Sequence, residues 1–283
     1  MLDLVEKAGL AETLSGPGPF TVFAPDNEAF AKLPEDIIST LTDNVELLKN
    51  VLLFHVVPSS VMGKDISNDI TVDSMQGSPL RANVYLQSKY YNVSLVNIMW
   101  NVIKQYSQGY VTVNGARVKK ADIVTDNGVI HMVTDVIYPL PVGNIAEVVA
   151  GDERFSTLFS AIGAADLADT LATGGPFTVF APTNDAFAKI PKDTLDGLLA
   201  DKDALTKLLQ RHVVPKTLFY KGICWSIHNT AGGAEEDMIA TQVFKAGVVK
   251  VVSNVEGKMV GAMVVDTDII ATNGVIHAID TLI

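Results

Sequence analysis

The chain has 283 residues, 48% of them apolar and 19% charged, with a formal net charge of −11. That balance supplies packed cores for roughly two domains and excludes a disordered chain. No basic cluster exceeds Lys119-Lys120, and no apolar run nears the ~18 residues that span a bilayer, so neither a nucleic-acid partner nor a transmembrane segment is expected in this chain.

The N-terminal "MLDLVEKAGLAETL" has neither the basic start nor the long apolar stretch of a signal peptide. From Gly18 to Pro34 the chain reads "GPFTVFAPDNEAFAKLP", and from Gly175 to Pro191 "GPFTVFAPTNDAFAKIP", an offset of 157 with three changes. The same offset pairs "LAETL" with "LADTL" and "FHVVP" (Phe54–Pro58) with "RHVVP" (Arg211–Pro215). "NGVIH" recurs at Asn127–His131 and Asn273–His277 at an offset of 146, so the first copy holds 11 extra residues, placed within 85–110. Self-similarity on this scale means one structural unit written twice. The expected domains are 1–141 and 142–283, joined near "YPLPVGN", where Pro139, Pro141 and Gly143 interrupt regular structure. The stretch "VGNIAEVVAGDERFST" has no counterpart before the first copy, which is therefore expected to begin partway through its opening helix, as in a piece of a longer protein.

Within a unit the pattern is helix-rich first and strand-rich later, an α+β class. Phe155, Leu158, Phe159 and Ile162 have the spacing of one apolar helix face. "FTVFA" alternates as a short strand that Pro25 or Pro182 closes, because proline cannot donate to a ladder. Asp26 and Thr183 are predicted N-caps for the helices that follow, with Glu28 and Asp185 at their positive ends. Pro34 and Pro191 stop those helices and open "PEDIISTL" and "PKDTLDGLL"; "NVELLKNVLLFH" and "DALTKLLQRH" carry a further helix each. Next come β-branched runs such as "GYVTVNG" and "GVVKVVSNVEGKMVGAMVV", with hairpin turns predicted at Asn114-Gly115, Asn127-Gly128 and Asn273-Gly274.

Four of the five histidines fall in matched places, His55 with His212 and His131 with His277. A metal would need a third ligand at workable spacing, and none is local, so hydrogen-bonded structural histidines are expected and no metal or other cofactor. No GxSxG, P-loop or dinucleotide motif is present and nothing in the sequence pairs Ser with His, so the chain does not read as an enzyme. Tyr85, Tyr90, Tyr91, Trp100, Tyr106 and Tyr110 crowd the extended segment of the first copy. They either enlarge the core or form an interface, for which Tyr90, Tyr91 and Trp100 are the candidates. Asn92-Val93-Ser94 is an N-glycosylation sequon, and Cys224 is the single cysteine.

"TVFAPTNDAFAKIP" and "ATNGVIHAIDTLI", spaced as they are here, resemble the two signature blocks of the fasciclin (FAS1) domain, and the resemblance covers essentially the whole chain. It implies two tandem FAS1 domains, each a β-sandwich wedge with packed helices. It also implies a secreted, matrix or cell-surface adhesion protein without enzymatic activity, with integrin-like receptors or extracellular-matrix proteins as partners. A structural matrix protein that self-associates without a cell receptor is the alternative; an enzyme or small-ligand binder is the remote one. The family's Tyr-His motif, linked in the family to integrin binding, falls on Phe54-His55 and Arg211-His212, without its tyrosine in either copy; the resemblance makes Phe54, His55 and His212 candidate receptor-binding residues. Its second integrin-linked motif, Asp-Ile, is matched by Asp122-Ile123 and Asp268-Ile269, which the resemblance makes candidate receptor-binding residues; the competing role is a turn aspartate. In matrix members a cysteine in the region of Cys224 pairs outside the repeats, which makes Cys224 a candidate for such a disulfide.

Overall fold

The computed structural model describes residues 1–87, 107–138, 143–223, 226–233, 238–244, 248–255 and 258–283. Two compact units, Met1–Leu140 and Pro141–Ile283, divide the chain. The first runs α1 (Leu2–Lys7), α2 (Ala11–Ser15), β1 (Phe20–Pro25), α3 (Asn27–Ala31), α4 (Glu35–Asp43), α5 (Val45–Phe54), β2 (Val56–Val57), β3 (Ile70–Asp73), β4 (Pro79–Gln87), β5 (Ser107–Val113), β6 (Ala116–Thr125) and β7 (Gly128–Val133). The second runs α6 (Ile145–Gly151), α7 (Ser156–Ala164), α8 (Ala168–Thr173), β8 (Phe177–Pro182), α9 (Asn184–Ala188), α10 (Lys192–Ala200), α11 (Lys202–Arg211), β9 (Val213–Val214), β10 (Ser226–Asn229), β11 (Met238–Val243), β12 (Val249–Val255), β13 (Lys258–Ala271) and β14 (Gly274–Ile279). Among the described residues no helix is long and apolar enough to cross a membrane.

Each unit orders seven strands in the same way, β2-β1-β7-β6-β5-β4-β3 and β9-β8-β14-β13-β12-β11-β10. In the first unit, β6 pairs with β5 through Ala116 and Arg117, then with β7 from Val118 onward. That change of partner folds the strand order over itself. Phe23, Val57 and Val133 from one half thereby share a core with Leu80, Ala82 and Val113 from the other, as in a sandwich. In the second unit, helical Ile145, Phe155, Leu158, Leu171, Phe187 and Leu205 pack on Val179, Ala181, Ile276 and Ala278 of β8 and β14. Burying each such large side chain is worth about 1.5–3 kcal/mol. Phe155, Leu158 and Ile162 are buried as their spacing predicts, but Phe159 is exposed, on the outer side of α7.

The two signature blocks are neighbours in space. β1 runs parallel to β7, with Phe20 opposite Gly128 and Phe23 opposite His131, and β8 runs parallel to β14 in the same register. The approach at its start is so close that a Cβ on Gly128 would lie 2.1 Å from the Phe20 carbonyl oxygen, and one on Gly274 2.0 Å from that of Phe177. These glycines are therefore not turn residues. The hairpin turns before them are Asp126-Asn127 and Thr272-Asn273, and neither asparagine has a positive φ, which corrects the expected Asn-Gly turns there. Asn114-Gly115 does turn in the predicted way, with φ of 44° and 80°.

Candidate functional site

The β1–β7 pairing sets the Phe23 ring against His131, with centroids 5.4 Å apart, and β8–β14 sets Phe180 against His277 at 5.5 Å. Each histidine is fully enclosed, and both its nitrogens are engaged. Nε2 of His131 lies 2.8 Å from the Val61 carbonyl, and Nε2 of His277 lies 2.7 Å from that of Leu218, so each donates there. That fixes the tautomer and leaves Nδ1 as acceptor of the Asp122 N–H in one copy and the Asp268 N–H in the other, both at 3.2 Å. The aspartates sit at register shifts in β6 and β13, with φ of 58° and 57°. Aspartate tolerates that left-handed geometry better than most residues. From there Asp122 Oδ1 accepts the Gly63 N–H and Asp268 Oδ1 accepts the Tyr220 N–H, each at 2.7 Å, clamping the short 3₁₀ turns Gly63–Asp65 and Tyr220–Gly222. Asp122 is exposed and Ile123 half-buried, whereas Asp268 and Ile269 are both half-buried. Burial pushes the Asp268 carboxyl above the usual carboxylate range, against the pull of His277.

His55 and His212 follow the opposite tautomer. Nδ1 donates back to the Val51 or Leu208 carbonyl one helical turn earlier, at 2.7 and 2.8 Å. Nε2 accepts the Ile137 or Ile283 N–H, at 2.9 and 3.1 Å. Phe54 is 3% exposed, His55 0% and His212 2%, so a partner would meet these three only through the surface they support. Burial lowers both imidazoles to about 4. Among the described residues no group of three or more His, Cys, Asp or Glu is placed to hold a metal.

The fifth histidine makes a pairing that sequence reasoning missed. His228 Nε2 lies 2.7 Å from Ser226 Oγ and 3.0 Å from Thr241 Oγ1, because residues two apart on β10 share a face and β11 brings Thr241 across. A catalytic Ser–His pair also needs an acceptor orienting Nδ1–H and a base that titrates near neutrality. Nδ1 of His228 has no hydrogen-bond partner among the described residues, and burial lowers the ring to about 4. The geometry is that of a buried polar cluster. Strand alternation was the signal that could have found it.

The repeated polar residues of the first block serve the backbone. Asp26 caps α3 through the Ala29 N–H at 2.8 Å, and Thr183 caps α9 through Ala186 at 3.3 Å. Lys119 reaches Asp26 at 2.9 Å and Glu28 at 3.1 Å, and its hydrogen bond holds the Asp26 carboxyl below the usual range. Asn127 and Asn273 do more than turn a hairpin. Asn127 Nδ2 donates to Leu14 and Gly16 carbonyls at 2.8 and 3.0 Å, closing the end of α2. Asn273 Nδ2 does the same for Leu171 and Gly174, while its Oδ1 accepts the Ile145 N–H at 2.9 Å. Of the aromatic cluster, Tyr85 and Tyr110 are described, with rings 5.5 Å apart and the Arg117 guanidinium 4.5 Å from the Tyr110 ring. Tyr90, Tyr91, Asn92, Trp100 and Cys224 lie outside the described residues.

Comparison with known proteins gives this arrangement its context. A family model for the Fasciclin domain matches residues 1–139 and 153–283. Transforming growth factor-beta-induced protein ig-h3 of Oryctolagus cuniculus is 36% identical over 282 residues, covering 99% of this chain and 36% of the relative. Periostin of Homo sapiens is 31% identical over 276 residues, covering 97% of this chain and 29% of its own length. Protein sll1483 of Synechocystis sp. is 44% identical over 141 residues, which is 49% of this chain and 72% of that protein. The chain thus spans about a third of the length of the two animal relatives. With both blocks, their pairing and the family match in two copies, the chain belongs to the Fasciclin domain family as a tandem pair.

Proposed function

We propose that this chain is a non-catalytic adhesion unit that works outside the cell, its two fasciclin domains presenting turns and strand edges to integrin-like receptors or other extracellular-matrix proteins. The observation that carries the reading is how the shared polar residues are used. Histidines, caps and asparagines are spent on holding each domain together, whereas Asp122 puts a carboxylate on an exposed, rigidly held bulge beside Ile123. One carboxylate oxygen anchors the turn; the other suits a divalent cation held by a receptor, since hard cations take oxygen ligands. Asp268-Ile269 offers the same motif in a more enclosed setting. Weak contacts of single domains would gain through their number on one chain.

The test is attachment of cells to the immobilised chain with and without EDTA. Attachment that EDTA abolishes and Asp122→Asn reduces is the expected result. Concentration-dependent oligomers without attachment would replace this reading with self-assembly.

A further inference from the structure

In the second domain, residues of α7, α8, α11 and β8 line an apolar pocket of about 150 Å³ that opens to solvent. Its wall is hydrocarbon: Leu158 and Ile162 from α7, Leu171 from α8, Phe177 from β8 and Leu209 from α11. His212 borders it with both nitrogens engaged by backbone groups, and Thr170 and Gln210 are the other polar residues of the lining. Thr170 is exposed and Gln210 half-buried. An apolar space of this volume is large enough for a benzene-sized guest.

The first domain differs at this place. Gln210 corresponds, at the offset of 157, to Leu53, which packs against the cluster of Val5, Leu10, Leu48 and Leu52. A leucine there adds hydrocarbon to the helix layer, whereas the second copy puts an amide in the pocket lining.

We propose that the second domain binds a small, uncharged aromatic molecule in this pocket. The volume sets the size at a single ring. The hydrocarbon wall sets the chemistry, because a charged group carried inside would find no partner.

The probe is benzene, titrated into the full chain carrying ¹³C-labelled methyl groups. Saturable shifts confined to the methyls of Leu158, Ile162, Leu171 and Leu209 are expected, with a Kd on the order of 1 mM. Benzoate, the same ring with a charge, should bind roughly tenfold or more weakly. Gln210→Leu, which restores the residue of the first copy, and Thr170→Phe, which puts a ring at an exposed residue of the lining, should each abolish the benzene shifts. Should one variant not fold, the other decides. Shifts that fail to saturate up to the solubility of benzene would overturn the proposal. So would shifts spread equally over both domains, or retained in a folded variant.

Discussion

The Asp122 carboxylate holds the Gly63 N–H at 2.7 Å from a residue whose own backbone is left-handed, with φ of 58°. The same side chain is therefore a clamp inside the domain and an exposed charge outside it, and substitutions can separate the two. Asp122→Asn keeps an oxygen acceptor and a residue that tolerates positive φ, so its melting temperature should stay close to that of the parent chain. Asp122→Ala loses both features and should cost about 1–3 kcal/mol by denaturant titration. Under the adhesion reading, Asp122→Asn nevertheless loses divalent-dependent attachment. Full attachment by that variant would remove Asp122 from the receptor contact.

Stability should respond to acid through the buried imidazoles. His55, His212 and His228 are lowered by burial to about 4, against about 6.5 in an unfolded chain. The unfolded state then binds more protons between those values, so their contribution is complete above pH 6.5 and is lost as pH falls towards 4. Each would remove up to ~3 kcal/mol across that window. Asp26, Asp152 and Asp280, whose carboxyls are held low, add their loss only at lower pH, while the raised Asp268 acts in the opposite sense. Urea midpoints measured from pH 8 to pH 4 should be flat, then fall from about pH 6.5. A midpoint constant down to pH 5 would show that the rings are accessible to protons in the folded chain.

Much of the local architecture was legible because its causes lie within a few residues. The Asp26 and Thr183 caps, the proline boundaries and the Asn114-Gly115 turn all follow from backbone chemistry at short range. The parallel pairing of β1 with β7 joins segments over a hundred residues apart, and no periodicity announces a partner that distant. It was this pairing that turned Gly128 from a presumed turn residue into a contact point, and Asn127 from a turn former into a cap for α2. Phe159 fell outside the core for a simpler reason: α7 buries a narrower stripe than its apolar spacing allows. The Asp-Ile motif was visible through family resemblance, but its clamp on the 3₁₀ turn depends on a bulge that sequence alternation does not show.

Gly128→Ala and Gly274→Ala should be among the most damaging single-methyl changes in the chain. The added carbon would meet carbonyl oxygens of the neighbouring strand at 2.1 and 2.0 Å, and neither backbone can retreat without breaking the β1–β7 or β8–β14 ladder. A loss of more than ~3 kcal/mol, or failure of that domain to fold, is expected. Gly151→Ala is the control. It ends α6 with nothing among the described residues within 4 Å of the new carbon, and should be neutral or stabilising by up to ~1 kcal/mol. Comparable losses for Gly274→Ala and Gly151→Ala in thermal melts would show that close strand approach does not explain the glycine.

Asn127→Ala and Asn273→Ala should be unequal although the residues occupy the same place in the repeat. Both remove two hydrogen bonds to the carbonyls that end the preceding helix, α2 or α8. Asn273 also accepts the N–H of Ile145, the first residue of α6, whose side chain is fully buried in the helix core. Losing it strands a donor at a helix start as well as two acceptors at a helix end, so Asn273→Ala should cost about 1 kcal/mol more than Asn127→Ala. Asn273→Asp keeps the acceptor for Ile145 but turns a carboxylate on the Leu171 and Gly174 carbonyls, and should be no better than alanine. Hydrogen exchange can locate the effect: the Ile145 amide should lose protection in Asn273→Ala and retain it in Asn273→Asp. Equal exposure in both variants would mean that α6 is held by its apolar face alone.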